Sequence, residues 1–193
     1  MSDIGRCPWG DDAGEPRMQA YHDDEWGVPV TDDRELFERL ILECFQAGLS
    51  WRTILNKREA FRAAYRGFDP VTVAAFDDVD RGRLMADVGI VRNRSKIDAS
   101  IGNATAFLAA AAEFGSFDAY LKSMVPTPPT RLERAASMGD IPATTPISDA
   151  LSTDLRRRGF RFVGSTIVYA FMQSVGLVDD HLARCFRYRG DPG

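Results

Sequence analysis

From Asp32 to Val175 the apolar residues return at helical intervals, and no convincing run of period-two alternation interrupts them. That pattern confines the chain to an all-α architecture. Asp32-Asp-Arg-Glu35 reads as a capping-box-like start, followed by Leu36, Phe37, Leu40, Ile41, Cys44 and Ala47 at helical spacing. Ser50 caps a second helix carrying Trp51, Ile54, Leu55, Phe61 and Tyr65. Asp69-Pro70 opens a short one through Phe76, Leu84 and Met85 suggest another, and a long helix runs from about Arg94 to Phe114. The proline-rich stretch at 125–130, with Pro142 and Pro146, makes 125–147 an irregular crossing with at most a short helix. Ser148-Asp149 is read as the cap of the next helix, which ends at Gly159. A tight turn to Gly164 leads into an apolar helix from about Ser165 to Val175, stopped by Gly176, and one or two helical turns are expected from Asp180 to about Phe186.

Composition excludes several classes. With 193 residues, 45% of them hydrophobic, the chain can bury a core and is not a disordered one. No apolar run reaches the roughly 18–20 residues of a membrane span, and the N-terminus lacks the apolar region of a secretory signal. Three cysteines cannot all pair, which fits a reducing cytoplasm. The net charge of −4 rules out a chain that is basic overall. Its distribution is uneven: residues 1–43 hold twelve Asp/Glu against four Arg, whereas 150–193 hold four Asp against seven Arg. Arg156, Arg157, Arg158 and Arg161 flank the glycine turn, and Arg92, Arg94 and Lys96 form a second basic group. Either could be a solvated helix face or a local polyanion contact. At the turn, Gly164 and Thr166 are placed for a phosphate to meet free N–H groups at a helix start, although an ordinary helix–helix connection has the same pattern.

Two constellations point to chemistry. The only histidines, His22 and His181, pair in number with Cys7 and Cys185, a donor set that suits a closed tetrahedral zinc shell of structural type. His181 and Cys185 are spaced i, i+4, so such a site would clip the two chain ends together. Spacing alone equally allows two buried thiols and two incidental histidines. Trp9, Trp26 and Trp51 all fall within the first 51 residues, near Tyr21, and Glu43 lies at the margin of the apolar sector of its helix. A buried anion among aromatic walls suits a planar cation, whereas a tryptophan cluster by itself also suits a core. Cys44 reads as core.

Together these segments resemble the 3-methyladenine DNA glycosylase I family. The resemblance is carried by Arg6-Cys-Pro-Trp9, Tyr21-His-Asp-Asp-Glu-Trp-Gly-Val-Pro29, Leu42-Glu-Cys-Phe-Gln-Ala-Gly-Leu-Ser-Trp51 and Ile54-Leu-Asn-Lys-Arg-Glu59. Phe68-Asp-Pro70, Asn103-Ala104, Arg158-Gly-Phe-Arg-Phe-Val-Gly-Ser-Thr-Ile167 and Val178-Asp-Asp-His181 continue it, in family order. The resemblance implies one helix-hairpin-helix domain over 1–193, with two helical lobes and a C-terminal segment returning to the first. It implies Cys7, His22, His181 and Cys185 as ligands of one structural zinc. It implies Glu43 and Tyr21 bonding an extruded base between walls from Trp51 and Trp9, with Trp26 close by. Leu49 is then a wedge into the duplex, and Arg161, Gly164 and Thr166 hold DNA phosphates.

The implied activity is monofunctional hydrolysis of the N-glycosidic bond of 3-methyladenine in double-stranded alkylated DNA by base flipping. Free 3-methyladenine is the product, Glu43 the catalytic group and a monomer the expected state. Cys44 stands where glycine is common, Met18 where another pocket aromatic occurs, and Asp179 where asparagine occurs; the Leu-Pro-Gly-Val-Gly hairpin of the wider superfamily is absent. The competing expectations are a noncatalytic DNA-binding module of the same fold with a structural zinc, and a zinc hydrolase. Four available metal ligands argue against the hydrolase.

Overall fold

A computed structural model describes residues 5–11, 14–126, 130–131 and 135–188. It is helical, as the periodicity requires. The elements are α1 (Pro16–Asp24), α2 (Asp33–Gln46), α3 (Trp51–Ala64), α4 (Pro70–Ala74), α5 (Asp78–Ala86), α6 (Arg94–Phe114), α7 (Phe117–Met124), α8 (Pro146–Arg157) and α9 (Ser165–Ser174). Single 3-10 turns occur at Pro8–Gly10, Arg66–Phe68 and Met138–Asp140. Among the described residues the only strand pairing is a two-residue parallel bridge, Thr130 with Val178 and Arg131 with Asp179. None of the helices among these residues is long and apolar enough to cross a membrane.

Helix α2 is the axis of the molecule. It packs on α3, α6, α7 and α9, and every residue from Leu36 to Phe45 is buried. Asp32 caps it by accepting the Glu35 N–H at 2.9 Å, but the expected box is only half formed, because the Glu35 carboxylate turns to Arg39 instead. Ser50, Asp69 and Asn93 cap α3, α4 and α6 in the same way. At the end of α2, buried Lys96 donates to the carbonyls of Phe45 (2.7 Å) and Ala47 (2.5 Å), satisfying oxygens that a helix end leaves open.

Three sequence expectations are corrected. Helix α8 begins three residues earlier than the Ser148-Asp149 reading. Thr145 is the cap, Pro146 takes the first turn, and Ser148 closes a capping box by returning its hydroxyl to the Thr145 N–H at 2.8 Å. Residues 180–186 form turns rather than a helix, so His181 and Cys185 converge without one. Helices α1 and α7 add to the expected set. The expected crossing at 125–147 is irregular where described, apart from the bridge at Thr130–Arg131, the turn at Met138–Asp140 and the start of α8 at Pro146; residues 127–129 and 132–134 lie outside the described residues.

Gly176 does more than stop α9. At φ +72° it lies where a Cβ would sit 2.6 Å from the Pro29 nitrogen. The 27–30 segment docks there, with Gly27 N–H donating to Gln173 O and Val30 N–H to Val175 O. This contact fixes Gly27, the residue after Trp26, at the end of α9.

Candidate functional site

Trp9, Tyr21, Trp26 and Trp51 come from four separate places in the chain and meet around one cavity of about 220 Å³. Trp9 lies 5.1 Å from Trp26 at 79°, and Tyr21 lies 5.1 Å from Trp51 at 41°, measured between ring centroids. Glu43 reaches the same cavity from α2, and Met18 from α1. Gln46, Met138, Ala170 and Gln173 complete the lining and were not foreseen. The volume is below the roughly 300–1,000 Å³ of pockets for drug-sized ligands, which suits one small planar ring system.

The polar groups of this cavity are unusual. Glu43 is 3% exposed, and its Oε2 has no hydrogen-bond partner among the described residues. The Trp51 indole Nε1 is likewise buried without an acceptor among them. An orphaned carboxyl oxygen and an orphaned N–H are costly unless a ligand completes them. Burial pushes the Glu43 carboxyl up to about 8, against the opposing pull of the Arg39 guanidinium one turn earlier. Arg39 is itself anchored, to Glu25 at 2.9 Å and Glu35 at 3.0 Å, and lies 5.6 Å from the centroid of the Tyr21 ring. Arg58 closes a two-bond clasp on Glu25 at 2.6 and 2.8 Å, so the Arg39 guanidinium behind Glu43 is held in a charge network.

On another wall, Gln173 donates its amide to Asp180 Oδ2 at 2.7 Å, as the Tyr169 hydroxyl does at 2.6 Å. The Gln173 side chain is therefore oriented before any ligand arrives. Asp179, its sequence neighbour, accepts the His181 N–H at 3.3 Å and does not line the cavity.

The four expected metal ligands also converge. Cys7, His22, His181 and Cys185 are all buried, and their ligand atoms lie within 4.8 Å of one another. Cys185 Sγ is 3.4 Å from His22 Nε2 and 3.5 Å from His181 Nδ1, and Cys7 Sγ is 3.8 Å from His181 Nδ1. A tetrahedron with bonds of about 2.0–2.3 Å has sulfur–nitrogen edges of about 3.5 Å, so the donor set fits such a metal. The remaining ring nitrogens are occupied as a metal site requires: His22 Nδ1 faces Asp23 Oδ1 at 2.8 Å, and His181 Nε2 faces the Trp26 carbonyl at 3.2 Å. Arg6 fixes Asp23 in turn.

Burial, helped by the neighbouring Cys185 thiol, pushes the Cys7 thiol up to about 12, and burial, helped by the His22 ring, pushes the His181 imidazole down to about 4. A central dication would reverse the first and benefit from the second. The cluster adjoins the pocket: Trp26 packs edge-on to His181 at 4.7 Å and Trp9 to His22 at 5.1 Å.

The glycine turn is built differently from expectation. Gly159 (φ +97°) and Phe162 (φ +57°) make the reversal, whereas Gly164 has ordinary dihedrals and serves as the cap position of α9. Because Gly164 offers no side-chain acceptor, the first N–H groups of α9, at Ser165 and Thr166, stay uncapped. The Arg161 side chain makes no ion pair among the described residues, whereas Arg157 and Arg158 are bound to Asp154. Leu49 is 41% exposed on the short loop after α2.

Asn103, fully buried on α6, joins this turn to the pocket helix. Its amide donates to Arg161 O at 3.0 Å and accepts from Arg161 N–H at 2.8 Å, beside the Cys44 sulfur. A lone asparagine within an apolar helix face was the available signal for that role. Cys44 is core, as expected.

This is a helical protein with a one-carboxyl aromatic pocket backed by a Cys₂His₂ cluster. The chain belongs to the methyladenine glycosylase family, whose sequence model matches residues 9–188. It is 49% identical to DNA-3-methyladenine glycosylase 1 of Escherichia coli (strain K12) over 186 residues, covering 96% of this chain and 98% of that one. A crystal structure of 3-methyladenine DNA glycosylase I superposes with a TM-score of 0.90 at 50% identity, covering 95% of this chain and 99% of the other. A variant 3-methyladenine DNA glycosylase I in complex with 3-methyladenine superposes with a TM-score of 0.87 at 37% identity, covering 93% and 95%.

Proposed function

We propose that this chain is a monofunctional DNA glycosylase that excises 3-methyladenine from alkylated duplex DNA. The observation that carries the reading is the orphaned Glu43 carboxyl inside an aromatic cavity of single-base size. A relative bound to 3-methyladenine supports it. A base inside a duplex cannot reach such a pocket, so the nucleotide is flipped out, with Leu49 filling the gap. Arg161 and the open N–H groups at Gly164–Thr166 hold the backbone.

Trp51, Trp9 and Tyr21 stack on or border the base, with Trp26 behind them; stacking is worth about 1–3 kcal/mol per base. Methylation at N3 makes the lesion cationic, so Glu43 favours it electrostatically and accepts a hydrogen bond from it. Neutral adenine gains nothing from that charge. The N-glycosidic bond breaks with its electron pair leaving on the base, which becomes neutral. Water bonds to the sugar C1′ and loses one proton. The lesion is already a good leaving group, so selection rather than strong acid catalysis is the task of the site. None of the three lysines lines the cavity, which supports hydrolysis without Schiff-base strand cleavage.

Cys7, His22, His181 and Cys185 hold one zinc ion in this reading. Four protein donors leave no position for a bound water, so the ion supplies structure alone. The whole chain acts as one monomeric domain of two helical lobes in the cytoplasm, where its three thiols stay reduced. The test is chromatography of bases released from methylated duplex DNA. We expect 3-methyladenine as the dominant product, with unbroken strands. Tight binding of methylated DNA without any free base would mean a noncatalytic DNA-binding module.

A further inference from the structure

Among the described residues of the irregular crossing between α7 and α8, Met138 lines the cavity. A built turn holds it there. Asp140 Oδ2 accepts the N–H groups of Ala136 (3.0 Å) and Ser137 (2.8 Å) and the Ser137 hydroxyl (3.0 Å). The root of this turn is buried away from the main core: Ala135 packs with Cys7, Leu182 and Cys185, and its carbonyl accepts the Ala183 N–H at 3.1 Å. The turn therefore hangs from the Cys/His cluster. Met138 lines the cavity yet remains 41% exposed, the position of a rim. Leaving a large apolar side chain there gains little for folding. Its polarizable thioether is suited to the edge of an aromatic ring.

We propose that Met138 is a specificity-determining residue that closes the rim of the pocket with an uncharged wall and limits the size of the methylated purine admitted. The inference rests on the glycosylase reading above. Its chemistry is steric: 7-methylguanine carries three exocyclic groups, an oxygen and an amino group on the six-membered ring and a methyl on the five-membered one, whereas 3-methyladenine carries two, an amino group and the N3-methyl, both on the six-membered ring. A wall set by a stapled turn excludes the bulkier base without any contact to the charge that Glu43 reads. Asp140 acts through Met138 as a positioning residue.

The experiment compares the unaltered protein with Met138→Ala, Met138→Leu and Asp140→Ala. It measures bases released from methylated duplex DNA and binding of free 3-methyladenine through tryptophan emission. Met138→Ala is expected to weaken 3-methyladenine binding about two- to fivefold, the range for removing part of an apolar wall at a half-exposed rim. It should also raise the ratio of released 7-methylguanine to 3-methyladenine about tenfold. Met138→Leu restores both values to within about twofold, since it replaces most of the lost volume. Asp140→Ala shifts the ratio in the same direction as Met138→Ala while metal content stays constant. An unchanged ratio and unchanged binding in Met138→Ala overturn the proposal. An unaltered protein that releases neither base fails earlier and takes the glycosylase reading down with it.

Discussion

Glu43→Gln is expected to lose function and gain stability at once. Release of 3-methyladenine falls by about 10²–10³-fold, the range seen when one preorganised electrostatic partner is removed from a buried site. The stability change follows from the raised carboxyl. In the folded chain Glu43 titrates at about 8 rather than 4.5, so between those values the native state binds a proton that the unfolded state has lost. Stability therefore falls as pH rises through that window and levels off above it. Glutamine has no such slope. Above pH 8 the variant should be more stable by about 2 kcal/mol, or about 4–8 °C in Tm, after allowing for its own buried amide. Below pH 4.5, where the carboxyl is protonated in both folded and unfolded chains, that gain is gone and only the cost of the buried amide remains, so the variant should be the less stable of the two. Thermal unfolding of both proteins across pH 4–9 checks this, and parallel curves would mean that Glu43 is not held in a dry site. The same linkage makes affinity for the cationic lesion rise with pH until about 8, because binding must ionise Glu43.

Loss of the Cys/His cluster has the second large effect. The protein is expected to carry one zinc per chain, counted by atomic absorption, and His181→Ala is expected to remove it. The penalty should be roughly 3–5 kcal/mol, the scale for losing a structural metal from a domain with its own hydrophobic core. The damage should be local. The cluster draws Cys7, His22 and the 181–185 turns together, whereas α2 and α6 belong to a separate apolar core. Faster hydrogen exchange is thus expected over 5–11, 20–27 and 178–188, with α2 and α6 protected as before. Trp9 and Trp26 rest on the two histidines, so base binding should weaken although no metal touches the base. Identical exchange and Tm in the metal-free protein would show that the four side chains are only buried neighbours.

Glu43 was legible because its helical angle put a carboxylate at the edge of an apolar stripe. The structure goes further, since α2 is surrounded on all sides and has no solvent face between Leu36 and Phe45. The pairing of two histidines with two cysteines was legible as a donor set, but the reason they meet was not. Residues 180–186 follow turns rather than helical periodicity. Helix α1 escaped notice because its buried residues, Met18, Tyr21 and His22, serve the pocket and the cluster and so lack a core stripe. Helix α7 carried a readable start in Gly115-Ser116, where the glycine ends α6 and the serine caps the next turn. Met138 and Gln173 could not be assigned from sequence, because their approach to Glu43 is set by tertiary packing across more than ninety residues.

Titration of the unaltered protein and Glu43→Gln with free 3-methyladenine and with adenine, followed by tryptophan emission, bears most directly on the pocket. The free base is neutral, so this titration reads the hydrogen-bond part of the recognition: the unaltered protein should show a saturable response to 3-methyladenine and bind adenine at least about tenfold more weakly, the weight of one buried hydrogen-bonded group. Glu43→Gln should lose that preference. Equal responses to the two bases, or a preference that survives the substitution, would contradict the assignment of Glu43 as the group that reads the lesion.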